Sequence, residues 1–482
     1  MPIEPAVPLL KRRRTRIVAT LGPASSNSEV LDALLAHGVD VFRLNFSHGS
    51  HAEHAAVFAA IGAAATRAGR HPAVLADLCG PKIRTGRFEG GAVTLEPGAE
   101  VVVTTRDVTG TAALIPSQYA GLTDDVRAGA RLLLDDGKLE LEVLAVAGTE
   151  VRCRVRHGGV LKDRKGINLP DSTVSAPSLT DKDRADARFA LELGVDWLAL
   201  SFVRCADDLT ALRALIDGAG ARAGIVAKIE KPEALRDIDA ILDACDAVMV
   251  ARGDLGVELR PEQVPVAQDL LVRGARARRR PVIVATQMLE SMIVDARPTR
   301  AEVADVAHAV MSGADAVMLS AETASGAHPV GAVEMMDRIA RQAEGWLWSQ
   351  GAFGTIERAS NDRDVAGALA TATAQLSRDL RVHAVVVVSR SGLSAGIVSA
   401  ARPAAPIIAV SSSVATCRRL RLSWGLEPVL VTDADLEDPA ALAIAQARAL
   451  DLAAPGDAVL LVQGFQLDPL ASRPAVSVLT VP

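Results

Sequence analysis

Two short runs of this chain end in charge where their composition promises a buried strand. The first reads Ile225-Val-Ala-Lys228-Ile229-Glu230. The second reads Val248-Met-Val-Ala251-Arg252-Gly253-Asp254-Leu255-Gly256. A buried strand has no use for a lysine and two carboxylates at its end unless something there needs them. A divalent ion held by Glu230 and Asp254, with the Lys228 ammonium beside it, suits phosphoryl transfer. The competing reading is a pair of solvated strand-to-helix loops, since any such loop can be charged.

These residues need elements to position them. Short apolar runs alternate with alanine-rich amphipathic stretches, which predicts a parallel sheet. Eight strands are predicted: Arg16–Gly22, Val39–Phe46, Ala73–Leu78, Trp197–Val203, Ile225–Ile229, Ala247–Ala251, Val282–Thr286 and Ala316–Ser320. One helix is clear. It follows Pro298-Thr299-Arg300-Ala301-Glu302, repeats Val303, Val306, Val310 and Met311 on one face, and stops at Gly313.

The alternation breaks between about Arg87 and Leu169, where β patterns and turn residues take over. Asp136-Gly137, flanked by apolar residues, marks a hairpin. We read a small β-barrel domain, residues 87–169, inserted after the third strand. Without it, residues 15–86 and 170–345 make 248 residues, close to the ~250 of a (β/α)8 TIM barrel. Residues 1–14 form a lead-in and 346–359 a linker. Residues 360–482 form a C-terminal α/β domain with strands at Ala384–Val388, Ile407–Val410, Pro428–Val431 and Ala458–Val462.

Bulk properties narrow the class. The chain has 482 residues, 49% hydrophobic and 23% charged, a globular composition. A net charge of −6 argues against nucleic acid as the main partner. No apolar run approaches the ~18 residues of a membrane helix. The proline-rich start, Met1 to Leu10, lacks a signal-peptide core. Lys11-Arg12-Arg13-Arg14 reads as a solvated approach to the first strand. Five scattered cysteines without a Cys-x-x-Cys pair suit a reducing, cytoplasmic setting. Lysines number 8 against 44 arginines, so each retained lysine is informative as a compact point charge.

In a βα barrel the site lies at the C-terminal ends of the strands. Polar clusters follow the predicted strands there: Thr20 to Ser25, Arg43 to Gly49, Asp77 to Arg84, Ser201 to Arg204, Thr286 to Glu290 and Ser320 to Thr323. Their shared position predicts one common site.

With these segments in view, the chain resembles the pyruvate kinase family over nearly its whole length. The resemblance rests on Arg16-Ile-Val-Ala-Thr-Leu-Gly-Pro-Ala-Ser25, Phe42-Arg-Leu-Asn-Phe-Ser-His-Gly49, Lys165-Gly-Ile-Asn-Leu-Pro170, Lys228-Ile-Glu230, Ala251-Arg-Gly-Asp-Leu-Gly256 and Ala285-Thr-Gln-Met-Leu-Glu-Ser-Met292. It implies transfer of the phosphoryl group of phosphoenolpyruvate to ADP, giving pyruvate and ATP, the last step of glycolysis. It implies Mg²⁺ or Mn²⁺ on Glu230 and Asp254. Lys228 is expected against the phosphoryl group and then the enolate, and Arg43 on phosphate oxygens. The N–H groups of Gly253 and Asp254, with the Thr286 hydroxyl, are expected to take the substrate carboxylate. Thr286 or Ser320, through water, relays the proton to carbon. Asn45, Ser47, His48, Arg84 and Lys165 match the nucleotide-contacting positions, with the inserted domain closing as a lid.

Two departures stand out. The family often reads Asp-Thr-Lys-Gly-Pro-Glu after the third strand; here it is Asp77-Leu78-Cys79-Gly80-Pro81-Lys82. The expectation is that Lys82 replaces a bound K⁺, as in a potassium-independent subgroup. The alternative keeps K⁺ on Asn45, Ser47 and Asp77. In the C-terminal domain, Ser389, Arg390, Ser391, Gly392 and Ser394 form a strand–loop–helix phosphate cradle. The tail Gln463 to Arg473 lacks the family's usual Thr-Asn step. A sugar monophosphate or AMP is therefore the expected effector, with an ordinary βα turn as the alternative. By analogy the assembly is a homotetramer. The rival functions are a metal-dependent barrel aldolase or mutase acting on phosphoenolpyruvate or pyruvate, and a non-catalytic binding protein of the same fold.

Overall fold

In the computed structural model, residues 10–351, 365–466 and 472–482 are described. All eight strands form: β1 (Arg16–Thr20), β2 (Val41–Asn45), β3 (Ala73–Asp77), β4 (Trp197–Leu200), β5 (Gly224–Ile229), β6 (Ala247–Ala251), β7 (Val282–Ala285) and β8 (Ala316–Leu319). They close into one parallel ring in chain order, with β1 paired to β8. Nearly every strand residue is buried. Burial on both faces explains why the runs are continuously apolar rather than alternating. Side chains such as Val18, Val41, Leu75, Ala199, Val226 and Met249 fill the bore, and their neighbours one residue along pack under the outer helices.

The expected helix spans Arg300–Ser312. The Thr299 hydroxyl and the Glu302 carboxylate cap each other's backbone, and Gly313 ends it at φ 97°. Val306 and Val310 are buried with Ala309, but Met311 is exposed. Met311 follows Val310 by 100° of helix rotation, which carries it off the buried stripe.

Between β3 and β4 lie eight strands with a core of their own, including Val101, Ile115, Leu132, Leu141 and Val155. They pair as one six-stranded sheet and one two-stranded ribbon, forming the small β domain expected after the third strand. The hairpin at Asp136-Gly137 is present, with Asp135, Asp136 and Gly137 all at positive φ.

The C-terminal part carries β9 (Ala384–Val388), β10 (Ile407–Ser411), β11 (Leu426–Leu430), β12 (Ala458–Gln463) and β13 (Ala475–Thr480). The order is β11-β10-β9-β12-β13, parallel except for β13. That last strand went unread because Ala475–Thr480 follows a proline- and serine-bearing stretch and is only partly buried.

Two expectations are corrected. Trp346–Ser349, assigned to a linker, continue the helix Pro329–Ser349, whose Ala340, Ala343 and Glu344 are buried. The rest of that linker beyond Gly351 lies outside the described residues, as do the start of the lead-in and the tail segment 467–471. The Arg13-Arg14 part of the basic run is not solvated. Arg13 pairs with Asp40 at 3.1 Å and Asp337 at 3.0 Å, and the Arg14 and Thr15 amides donate to buried Glu344. Asp40, Asp337 and Glu344 outweigh the desolvation of the Arg13 guanidinium, whereas burial brings Arg14 down to about 10 despite Glu344.

Candidate active site

Period two in a strand turns the bore inside out at its mouth. Val226 lines the bore, so Lys228 and Glu230 continue on the same side. Arg43 likewise follows Val41, Asp77 follows Leu75, and Ser201 follows Ala199. An apolar plug therefore becomes a charged floor within two residues on four adjacent strands.

The charged groups meet directly. Lys228 Nζ lies 3.1 Å from Asp77 Oδ1 and 3.0 Å from Glu230 Oε1, and donates to Ser201 Oγ at 2.7 Å. Arg43 Nε donates to Asp77 Oδ2 at 2.7 Å, and its Nη1 to Thr20 Oγ1 at 3.0 Å. Burial opposes the charge on Lys228, but Asp77 and Glu230 outweigh it and hold the ammonium above its ordinary value. Burial pushes the Glu230 carboxyl up, and the Asp254 carboxylate adds to that, against the pull of Lys228. Phe202 N–H donates to Glu230 Oε2 at 2.7 Å, from a residue at φ 56° that turns the β4 loop inward.

Asp254 opens the helix Arg252–Glu258, and Lys82 Nζ stands 3.6 Å from its Oδ1. The Leu78 side chain is buried in the layer between strands and helices and carries no oxygen, while its carbonyl accepts the Ser201 hydroxyl at 2.7 Å. The Gly253 N–H donates to Thr286 Oγ1 at 2.6 Å, and that hydroxyl donates to the Ala285 carbonyl at 2.6 Å. The amide expected to receive a substrate carboxylate is therefore capped by the hydroxyl expected to help it. Thr286 must turn for both to act. Its φ of 70°, shared by Gln287 at 54°, is a strained conformation for a β-branched residue.

Ser320 sits at the end of β8, its N–H held by Glu322 Oε2 at 2.7 Å. The other oxygen of Glu322 takes the Leu289 N–H at 3.1 Å. This buried carboxylate ties the β7 and β8 loops together. Sequence reasoning left Glu322 and Ser201 without roles, and considered Asp77 only as a ligand in the K⁺-binding alternative. The signal for Asp77 was present: an acid closing an apolar run two residues beyond a bore position.

The nucleotide-matching residues follow β2 and β3 on the same rim, and each is held by its own local partners. Asn45 Oδ1 accepts the Ser47 N–H at 3.2 Å. His48 is exposed, its carbonyl meeting the His54 ring at 2.9 Å. Arg84 Nη1 donates to the Arg164 carbonyl at 3.2 Å, and Lys165 pairs with Asp135 at 2.8 Å on the inserted sheet. The effector-matching loop lies in the C-terminal part, after β9. Ser389 and Ser394 are buried, and Ser389 Oγ accepts the Ala395 N–H at 3.2 Å. Arg390 and Ser391 are exposed.

The Asp254 carboxylate helps push the Glu230 carboxyl up, and a hard divalent cation shared by the two would relieve that repulsion. Among the described residues no three or more His, Cys, Asp or Glu converge. A two-carboxylate set of this kind suits Mg²⁺, which keeps its other positions for water and phosphate oxygens.

A closed βα barrel whose mouth gathers such a pair with a buried ammonium and a guanidinium defines a phosphoryl-transferring enzyme. Comparison with known proteins specifies which. Family models described as "Pyruvate kinase, barrel domain" and "Pyruvate kinase, alpha/beta domain" match residues 12–333 and 367–471. Pyruvate kinase 2 of Synechocystis sp. is 45% identical over 425 residues, 87% of this chain and 71% of that one. A pyruvate kinase of Agrobacterium vitis is 45% identical over 459 residues, 94% of each chain. A crystal structure of a pyruvate kinase from Cryptosporidium parvum superposes with a TM-score of 0.92 at 33% identity, covering 98% of both chains. The chain belongs to the pyruvate kinase family. It is a phosphotransferase of class EC 2.7.1.40, moving the phosphoryl group of phosphoenolpyruvate to ADP. The aldolase, mutase and non-catalytic readings fall. Among the described residues no helix is long and apolar enough to cross a membrane.

Proposed function

We propose that this enzyme works with Mg²⁺ or Mn²⁺ on Glu230 and Asp254 and does not require K⁺. The observation that carries the reading is the Lys82 ammonium 3.6 Å from Asp254, with a Leu78 side chain that offers no oxygen. When bound, the divalent ion would neutralise phosphate charge. Arg43, oriented by Asp77 and Thr20, presents its remaining N–H groups to the phosphoryl oxygens. Lys228, fixed by Asp77, Glu230 and Ser201, stabilises the enolate oxygen as the oxygen–phosphorus bond breaks. The Gly253 and Asp254 amides and a turned Thr286 hydroxyl take the carboxylate. Thr286 or Ser320 passes a proton through water to the enolate carbon.

Asn45, Ser47, His48, Arg84 and Lys165 hold ADP. Residues 87–169 act as a lid that excludes water, with 15–86 and 170–345 as the catalytic barrel and 360–482 as a regulatory unit. The lid already meets the site's helix: Asn168 Nδ2 donates to Glu258 Oε1 at 3.0 Å. A phosphorylated effector on Ser389, Arg390, Ser391, Gly392 and Ser394, a homotetramer and a cytoplasmic setting complete the proposal. The test is ATP formation coupled to a reporter enzyme, in tetramethylammonium buffer with Mg²⁺ titrated. Full turnover without K⁺ is expected, abolished by EDTA, with Glu230→Gln raising the Mg²⁺ requirement at least about tenfold. A Glu230→Gln enzyme with the parental Mg²⁺ dependence refutes the ligand assignment.

A further inference from the structure

We propose that the buried Lys231–Glu258 ion pair, joined by Asn168 of the inserted sheet, is a positioning unit that sets the spacing of Glu230 and Asp254 for a divalent cation. The proposal rests on the assignment of those two carboxylates as the metal ligands.

Backbone pairing does not set that spacing. β5 and β6 run side by side, and their ladder ends where Ile229 meets Val250. Glu230 lies one residue past that last rung. Asp254 lies four residues past it, on the helix Arg252–Glu258. Two carboxylates brought together there repel until a cation joins them. Another contact must therefore hold the two segments in register before a cation arrives.

The ion pair spans the same two segments. Lys231 directly follows Glu230, and its Nζ lies 2.6 Å from Glu258 Oε1. Glu258 stands four residues after Asp254, so the two acids share one face of the helix. The neighbour of one ligand thus grips the helix that carries the other. Asn168 Nδ2 donates to the same Glu258 oxygen at 3.0 Å. Asn168 ends the short strand Ile167–Asn168, which pairs with Leu133 and Leu134 of the inserted sheet. Three segments of the chain therefore meet on one carboxylate oxygen.

The burial of this junction separates it from a pair that only supports the fold. The Lys231 and Glu258 side chains are 9% and 1% exposed. Glu258 Oε2 is buried and has no hydrogen-bond partner among the described residues. Taking both charges out of water with one lone pair unsatisfied returns little stability, and apolar side chains of similar size would serve that purpose as well. What the ion pair supplies beyond an apolar contact is a fixed length and direction. Because Lys231 and Asn168 share one acceptor, moving the inserted sheet away removes one of the two donors that hold Glu258. Cation affinity and the position of the sheet are then linked, and the link acts in both directions.

The test titrates the full-length enzyme with Mn²⁺ in the absence of substrates and follows free Mn²⁺ by electron paramagnetic resonance, with thermal unfolding recorded alongside. Lys231→Met should raise the Mn²⁺ dissociation constant at least about tenfold. Asn168→Ala should raise it by less, since one donor remains. The double change Lys231→Met with Glu258→Leu leaves no unpaired buried charge. It should unfold near the parental temperature and still bind Mn²⁺ weakly, which serves if Lys231→Met fails to fold. Arg213 pairs with Asp246 at 2.5 Å near the other end of the same strands, and Arg213→Gln should bind Mn²⁺ as the parent does. Parental Mn²⁺ affinity in Lys231→Met or in the double variant overturns the proposal, as does an equal loss in Arg213→Gln. Parental affinity in Asn168→Ala overturns the link to the inserted sheet. Glu230→Gln separates the proposal from the ligand assignment beneath it. Parental affinity there removes both, whereas a raised constant there beside a parental one in Lys231→Met removes the positioning pair alone.

Discussion

The sharpest prediction concerns Lys82. Its ammonium stands 3.6 Å from an Asp254 oxygen, with the two side chains 30% and 25% exposed. At an effective dielectric of about 20, two unit charges at this separation attract by roughly 4–5 kcal/mol. Water reaches both groups, so the usable part is about 1–2 kcal/mol. Lys82→Met keeps the stem and removes the charge. In tetramethylammonium buffer its kcat/KM for phosphoenolpyruvate should fall about 5–30-fold, which is that energy expressed as a rate. Added K⁺ should restore little, because the Leu78 side chain supplies no ligand oxygen. The double change Leu78→Thr with Lys82→Glu should create a several-fold activation by K⁺. The assay is initial rate of ATP formation, with and without K⁺, at constant ionic strength. Parental turnover in Lys82→Met, or many-fold K⁺ activation of the parent enzyme, refutes the reasoning.

Three further outcomes follow from the same contacts. Lys228→Met should lower kcat about 10²–10³-fold, the scale of losing one preorganised charge at a developing oxyanion; single-turnover kinetics would expose an unaltered chemical step. Gly80→Ala should cut both stability and kcat, because a Cβ there meets Ser201 Cβ at 2.8 Å from a φ of +68°, and Ser201 holds Lys228; parental kcat would sever that link. Asp40 is buried, which resists its charge, yet Arg16 and Arg13 hold its carboxyl down at about 2. With the folded value below the unfolded one, its contribution is complete above about pH 4 and fades as pH falls toward 2. Asp40→Asn should therefore cost on the order of 2 kcal/mol at pH 7 in urea unfolding, and an unchanged midpoint counts against it.

The sequence alone determined the barrel, because strands buried on both faces must be apolar throughout, and eight such runs alternate with helical stretches. Lys228, Glu230 and Asp254 were equally legible, since charge at the end of an apolar run has no packing rationale. The hairpin at Asp136-Gly137 announced the insertion through turn chemistry that acts locally. Other features needed tertiary structure, because they depend on what arrives from distant strands. Asp77 became the bridge between Arg43 and Lys228 only when β2, β3 and β5 curved into one ring. Arg13 and Arg14 read as solvated until Asp40, Asp337 and Glu344 closed around them. The capped Gly253 amide and the Lys231–Glu258 pair share that origin. Hydrogen bonds and charge balance are settled between elements, and a period read along one element does not contain them.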